Sequence, residues 1–433
     1  MNKQKLFVTS CLSIGTAAMV FAIRGDVAGP VRTAFHITNE QMGTMLSPAF
    51  WAFTIAIFIS GNLVDVVGMR VLHALSAAGF IAGVSLIILA PRPDGPLPSL
   101  MDHPGTVLLF TGFFLFGLSH GLVEGVINPL MASIYSDEKT KRIIAVHAWW
   151  PGGLIIGGLA ALALATLFDA AWQVRLSLIL IPAVAYLAMA LSLDYPQTER
   201  ALSQVSTADM WKQATRPLFI VLFICMWMTA AVEMGPDQWF PTVMGELVPQ
   251  LNPGRGSGVL FLVYTAGLMF ALRAWASGLS HKSPLATLIV SSILAGVGLY
   301  WLGSLDKTSG AVVALVAATL FGIGKTFLWP TMLGITAEQF PRGGALLLSL
   351  MGGAGMLSVG LVLPIMGEQM DQFGPGAALQ MVALLGAVLA VIFSGVWVYF
   401  RNRGGYRAVP ISDDQRHGSE GLLALPSRHG QAR

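Results

Sequence analysis

Long apolar runs, separated by short polar stretches, recur along the whole chain. A membrane-crossing helix needs about 20 mostly apolar residues. On that measure the pattern predicts twelve spans, near residues 6–34, 43–64, 71–90, 106–136, 145–168, 174–193, 216–244, 256–279, 284–304, 311–336, 344–367 and 376–400. A β-barrel would show short alternating segments instead, so the expected class is an all-α membrane protein. The one long internal polar stretch divides the spans into six and six. This gives an N-terminal bundle over 1–193, a cytoplasmic linker over 194–215 and a C-terminal bundle over 216–400. The polar, Gly-rich tail at 401–433 reads as disordered.

Composition agrees with this pattern. Of 433 residues 55% are hydrophobic and only 11% charged, against roughly a quarter charged in soluble domains. A net charge of +3 gives no reason to expect a nucleic-acid partner. Cys11 and Cys225 both lie inside apolar runs and read as small buried hydrophobes, not as a disulfide or metal pair. The start, Met1 to Lys5 followed by an apolar run, resembles a signal peptide but lacks a small-residue cleavage site, so it reads as an uncleaved first helix. Lys and Arg favour one set of loops, including Lys3, Lys5, Arg70, Lys139, Arg216 and Arg342, about threefold over the other set, which holds Arg32, Arg92, Arg175, Arg255 and Lys307. By the positive-inside rule both termini are expected on the cytoplasmic side of the cell inner membrane.

The two halves also resemble each other. Phe116-Gly117 and Phe321-Gly322 open spans four and ten, and in that register Glu124 falls opposite Trp329. Gly152-Gly153 and Gly157-Gly158 in span five answer Gly352-Gly353 and Gly360 in span eleven. Two such halves imply a transporter with its site at midplane, and the glycines read as close helix-packing positions.

Polar residues inside the spans are the candidate chemistry, because an ionised group at mid-bilayer is costly and marks function by default. His120, Glu124 and Asn128 are spaced four apart and share one helical face. Arg24 and Asp26 lie in span one, where Asp26 has Arg24 or Arg32 as a possible ion-pair partner. Lys325 and Trp329 share a face of span ten, with Lys325 free to bind solute oxygens or to neutralise Glu124 or Glu233. Glu233 and Asp237 flank Pro236 in span seven, just before Trp239, and a wet outer position is open to both. His147 and Trp150 open span five, where an aromatic ring for stacking on a pyranose competes with an ordinary interfacial belt.

Two motifs carry a resemblance. The run Gly61-Asn62-Leu63-Val64-Asp65-Val66-Val67-Gly68-Met69-Arg70, between spans two and three, resembles the signature loop of the major facilitator superfamily, with Gly61, Asp65, Gly68 and Arg70 as the matching conformational-loop residues. Asp26, Pro30 and Phe35, followed by Gln41 and Gly43, and then Gly121, Glu124, Asn128 and Pro129, are similar to the motifs of spans one and four in the fucose/galactose/glucose:proton symporter family. The chain departs from that family at Arg24, two residues before Asp26. The resemblance implies two six-helix bundles, and proton coupling through the embedded acids Asp26 and Glu124. It implies uptake of a monosaccharide or related polyhydroxylated solute by a monomer.

Arg24, His120, Asn128, His147, Trp150, Glu233, Trp239, Lys325 and Trp329 are the expected substrate contacts. No nucleophile–base pair, metal-ligand cluster or phosphate-binding loop is read from the sequence, so neither an enzyme nor a cofactor is expected. Two alternatives stay open: an anionic solute such as a sugar acid, matched to Arg24 and Lys325, and a non-transporting membrane sensor.

Overall fold

The structure is a computed structural model that describes residues 2–97, 99–135, 139–197, 207–248, 257–340 and 342–409. Its described residues form helices. In the first half these are α1 (Lys3–Ala34), α2 (Asn39–Leu46), α3 (Pro48–Val67), α4 (Met69–Leu89), α5 (Pro104–Ile134), α6 (Lys139–His147), α7 (Trp149–Leu167), α8 (Trp172–Ser177) and α9 (Leu180–Ser192). After α10 (Thr207–Ala214) the second half comprises α11 (Pro217–Leu247), α12 (Ser257–Lys282), α13 (Pro284–Gly303), α14 (Ala311–Lys325), α15 (Leu328–Gln339), α16 (Gly344–Phe373) and α17 (Pro375–Asn402). Among the described residues eleven helical stretches are long and apolar enough to cross a membrane, and Gly258–Arg273 within α12 is a shorter apolar helix. They coincide with the twelve expected spans.

Four spans are broken where one helix was expected, span five among them, at Ala148 between α6 and α7. Span two bends at Ser47, where Pro48 begins α3 with its fixed φ and no N–H to satisfy. Span six breaks between α8 and α9, and span ten at Thr326 and Phe327 between α14 and α15. A broken helix inside a bundle is tolerated when neighbours satisfy the freed backbone groups. Span seven, by contrast, stays one helix across Pro236 and Pro241.

Local sequence explains several ends. Thr38 and Gln41 form a capping box at the start of α2: Gln41 N donates to Thr38 Oγ1 at 3.1 Å, and Thr38 N donates to Gln41 Oε1 at 3.0 Å. Gly68 joins α3 to α4 at φ +89°, a conformation that a side chain disfavours. The Arg70 guanidinium bonds the Leu191 carbonyl at the end of α9. The Asp65 side chain and the surroundings of Gly61 lie outside the described residues.

Both polar segments contain described structure. The linker contains the helix α10. The start of the tail is ordered against α15: Tyr406 donates to a Glu338 carboxylate oxygen at 2.7 Å, and Gln339 Nε2 donates to the Arg407 carbonyl at 2.8 Å.

The halves meet mainly through α2 and α3 against α16, α7 against α12, and α1 against α11. Contacts run from the end of the bundle far from the chain termini toward mid-depth. At the far end Asp371 of α16 accepts from Asn39 N, Asn39 Nδ2 and Glu40 N at 3.2, 2.8 and 2.9 Å, capping α2 from the opposite half. One turn deeper, a Cβ on Gly43 would collide with the Leu363 backbone. Ser47 Oγ then donates to the Gly360 carbonyl at 2.5 Å, and Thr54 Oγ1 to the Gly353 carbonyl at 2.7 Å. Gly153 and Gly157 of α7 back directly onto Gly15 and Met19 of α1, as close packing predicts.

Candidate functional site

The stretch around Glu124 is part of α5, which runs unbroken through Pro129. The four-residue spacing brings Asn128 Nδ2 to 3.2 Å from Glu124 Oε2. From the start of the next span, His147 Nε2 lies 2.9 Å from Asn128 Oδ1 and 3.7 Å from Glu124 Oε2. The Glu124 side chain is 16% exposed and that of His147 37%, so the cluster joins a sheltered acid to an accessible imidazole. One turn back on α5, His120 stacks on Trp150, with ring centres 4.9 Å apart and planes 15° apart, while the Phe53 ring meets its edge at 4.7 Å. Trp150 is therefore turned into the bundle, and the neighbouring Trp149 is the exposed ring.

The aromatic cluster continues to Arg24. Trp150 meets Phe21 at 5.7 Å, and the Arg24 guanidinium lies 5.4 Å from the Phe21 ring centre and 4.6 Å from that of Phe50. Arg24 Nε donates to Gln238 Oε1 of α11 at 2.7 Å, and Gln238 Nε2 donates to the Phe21 carbonyl at 2.9 Å. These two bonds strap the halves together at the site. Arg24 does not pair with Asp26, because residues two apart on a helix point to nearly opposite sides.

Asp26 pairs instead with Arg175 of α8, whose Nη1 lies 2.5 Å from Asp26 Oδ2. Both line a cavity of about 450 Å³ between the halves at the far end, together with Arg32, Asp169, Thr242 and Glu246. Arg175, counted from sequence as a loop cation, is buried.

The second half contains two more ion pairs, and both differ from expectation. Lys325 is fully buried, and its Nζ donates to the two Asp237 oxygens at 2.6 and 2.7 Å and to Thr265 Oγ1 at 3.1 Å. Its partner is neither Glu124 nor Glu233, because Asp237 stands closer on the facing helix α11. Glu233 and Asp237 are buried, not wet. Glu233 pairs with Arg273 of α12 at 3.3 Å and accepts from Trp329 N at 3.2 Å, while Arg273 Nε donates to the Thr326 carbonyl at 2.9 Å. One ion pair thus bridges the break in span ten. The acid meets the free N–H of Trp329 in the first turn of α15, and the cation meets the carbonyl of Thr326 that caps α14, each suited to the dipole at that end.

The remaining two candidate aromatics both contact α16. Trp239 is fully buried and its Nε1 donates to the Leu363 carbonyl at 3.3 Å. The Trp329 ring lies against Gly355 of α16. The structure therefore gathers Arg24, His120, Glu124, Asn128, His147 and Trp150 into one cluster, and places Glu233, Lys325, Trp239 and Trp329 in the second half, the first two in buried ion pairs. Sequence reading missed Gln238 and Arg175, although each is a polar residue within an apolar run. It also missed the pairing role of Arg273, which lies where an apolar span shades into a basic loop.

Three comparisons bear on identity. The sequence profile of the Major Facilitator Superfamily matches residues 6–345. An uncharacterized transporter, y4wD, of Sinorhizobium fredii (strain NBRC 101917 / NGR234) is 24% identical over 195 residues, covering 45% of this chain and 46% of that protein. The chain thus matches about half the length of that relative. The crystal structure of a D-xylose-proton symporter superposes with a TM-score of 0.74 at 16% identity, over 90% of this chain and 96% of the other. A POT family transporter in complex with a thioalcohol-conjugated peptide gives 0.70 at 14% identity, over 92% and 96%. At these identities the structural likeness speaks to the fold.

Proposed function

The chain belongs to the major facilitator superfamily, and we propose that it is a proton-coupled importer of a small polyhydroxylated solute, in the class of monosaccharides and their derivatives. The observation that carries this reading is the Glu124–Asn128–His147 cluster. Glu124 is a sheltered acid inside a membrane span whose ionisable neighbour is a histidine, not a fixed cation. No fixed positive charge holds such an acid in its ionised form. The stacked His120–Trp150 pair beside it presents an aromatic face of the kind that packs on a pyranose ring, while Asn128 and Glu124 supply hydrogen-bond groups for hydroxyls.

The proposed cycle uses the observed contacts. The far end faces the outside, consistent with the Lys/Arg asymmetry, which survives moving one cation of each loop set, Arg175 and Arg273, into the bundle. Both termini are then cytoplasmic in the inner membrane, and the boundary between bundles lies within 194–215. In the state described, the far end is closed by Asp371 on α2 and by Gln238 on Arg24. The far-end cavity gives a proton from outside access to Asp26, protonation loosens Arg175, and the same proton passes on to Glu124, leaving Asp26 again ionised against Arg175. Glu124 takes up a proton together with solute, and His147 passes that proton to the opposite side after the halves rock. Asp26 and Glu124 are the two coupling acids, and Arg24, His120, Asn128, His147 and Trp150 form the solute site.

The test is uptake of labelled hexoses and hexose derivatives into proteoliposomes with and without an imposed inward proton gradient. Gradient-driven accumulation that becomes gradient-independent in Glu124→Gln supports the reading. Full accumulation in that variant overturns it.

A further inference from the structure

Among the described residues, Arg24, Arg32, Arg175, Arg273 and Lys325 are cations inside the apolar spans, with Arg32 lining the cavity at the far end of α1. Arg175 is matched by Asp26, Arg273 by Glu233 and Lys325 by Asp237. Arg24, 4% exposed, lies within ion-pair distance of no described carboxylate. Its one described hydrogen bond uses Nε, toward Gln238, and its faces rest on Phe21 and Phe50. The terminal nitrogens of the guanidinium fork are left for a planar, bidentate acceptor, the geometry of a carboxylate. On the acid side, Glu124 likewise has no fixed cation beside it among the described residues. Arg24 and Glu124 thus both lack a fixed counter-charge, and they are linked through Phe21, Trp150 and His120.

We propose that the solute is a hydroxylated monocarboxylate, a sugar acid, whose carboxylate is held by Arg24 and whose hydroxyls face Glu124, Asn128 and His147. This rests on the proton-coupled reading above and names its substrate class. The charges also supply a coupling rule. The empty site, with Arg24 positive and Glu124 negative, is neutral overall. A site holding the anion together with a protonated Glu124 is neutral as well. A site with only the anion or only the proton carries a net charge in the membrane interior, where charge is costly. Both neutral forms rock freely and both charged forms do not, so one proton travels with one monoanion and the cycle is electroneutral. A neutral sugar would leave the protonated, loaded site positive. A phosphate dianion would leave it negative.

The experiment uses proteoliposomes of the full chain with D-gluconate and D-glucuronate as anionic probes and D-glucose and D-galactose as neutral ones. The expected result is gradient-driven uptake of the anions, unchanged by a potassium–valinomycin potential, with uptake at least tenfold lower in Arg24→Gln. Arg24→Lys keeps the charge but loses the fork. With an unliganded Tm close to wild type and anion uptake still reduced, it separates a lost contact from a folding defect. Gradient-driven accumulation of the hexoses, or of anions equally well in Arg24→Gln, overturns the carboxylate assignment while leaving proton coupling intact. Anion uptake through Arg24 that ignores the pH gradient overturns the coupling and leaves Arg24 as the anion contact. Uptake of neither class overturns the proposal outright.

Discussion

Lys325 and Asp237 show how a buried charge is held by a counter-charge. Both are almost wholly enclosed, and Thr265 and the Phe321 ring complete the ammonium's surroundings. Removing one partner of such a pair leaves an uncompensated buried charge and costs about 3–5 kcal/mol, whereas replacing both with apolar groups is often close to neutral. Lys325→Met is therefore expected to lower thermal stability sharply in detergent, and Lys325→Met combined with Asp237→Leu to recover most of the loss. Differential scanning fluorimetry of the three proteins checks this. A single variant as stable as wild type contradicts the structural role of Lys325. Glu124 belongs to the opposite case. Its replacement by Gln is expected to leave Tm nearly unchanged, because the Asn128 contact is neutral and the side chain is partly accessible. The i, i+4 spacing made Glu124 and Asn128 legible as a pair in the sequence. The partner of Asp26 was not legible, because nothing local links residue 26 to residue 175.

At the scale of the helix, the break in span ten depends on residues from two other helices. Glu233 accepts from Trp329 N in the first turn of α15, Arg273 satisfies the carbonyl of Thr326 that caps α14, and Pro330 has no N–H to leave unpaired. Arg273→Ala frees both a buried carboxylate and a carbonyl, and is expected to cost about 1–3 kcal/mol. Hydrogen exchange is expected to rise most at 326–331. Exchange unchanged there, with stability lost elsewhere, would contradict the bridging role. The apolar pattern runs straight through 311–336 and hides this break, since periodicity registers hydrophobicity and not backbone continuity. The bend at Ser47 was missed as well, although Pro48 carries the signal of a helix start. The motif shared with sugar:proton symporters also acquires a physical meaning at this scale. Thr38 and Gln41 are a capping box, and Gly43 lets α2 approach α16.

For the whole molecule, twelve spans in two halves were legible because membrane helices must satisfy their backbone internally and bury a long apolar run. How the halves close was not, since it depends on contacts such as Asp371 with Asn39 and Gly43 with Leu363. Far-end closure leaves no room for a larger residue at 43. Gly43→Val is therefore expected to hold the far end open, raise labelling of a cysteine placed at Thr242 and slow transport by at least about tenfold. Labelling and transport at wild-type levels would show that the far end closes elsewhere. The central claim concerns the proton, and it is read most directly by trapping pyranine inside proteoliposomes and adding hexoses and hexuronates in turn, without an imposed gradient. The account predicts that the transported solute acidifies the lumen as it enters the wild-type vesicles, and that the same solute produces no pH change with Glu124→Gln. Entry of labelled solute into wild-type vesicles with no change in lumenal pH would contradict it.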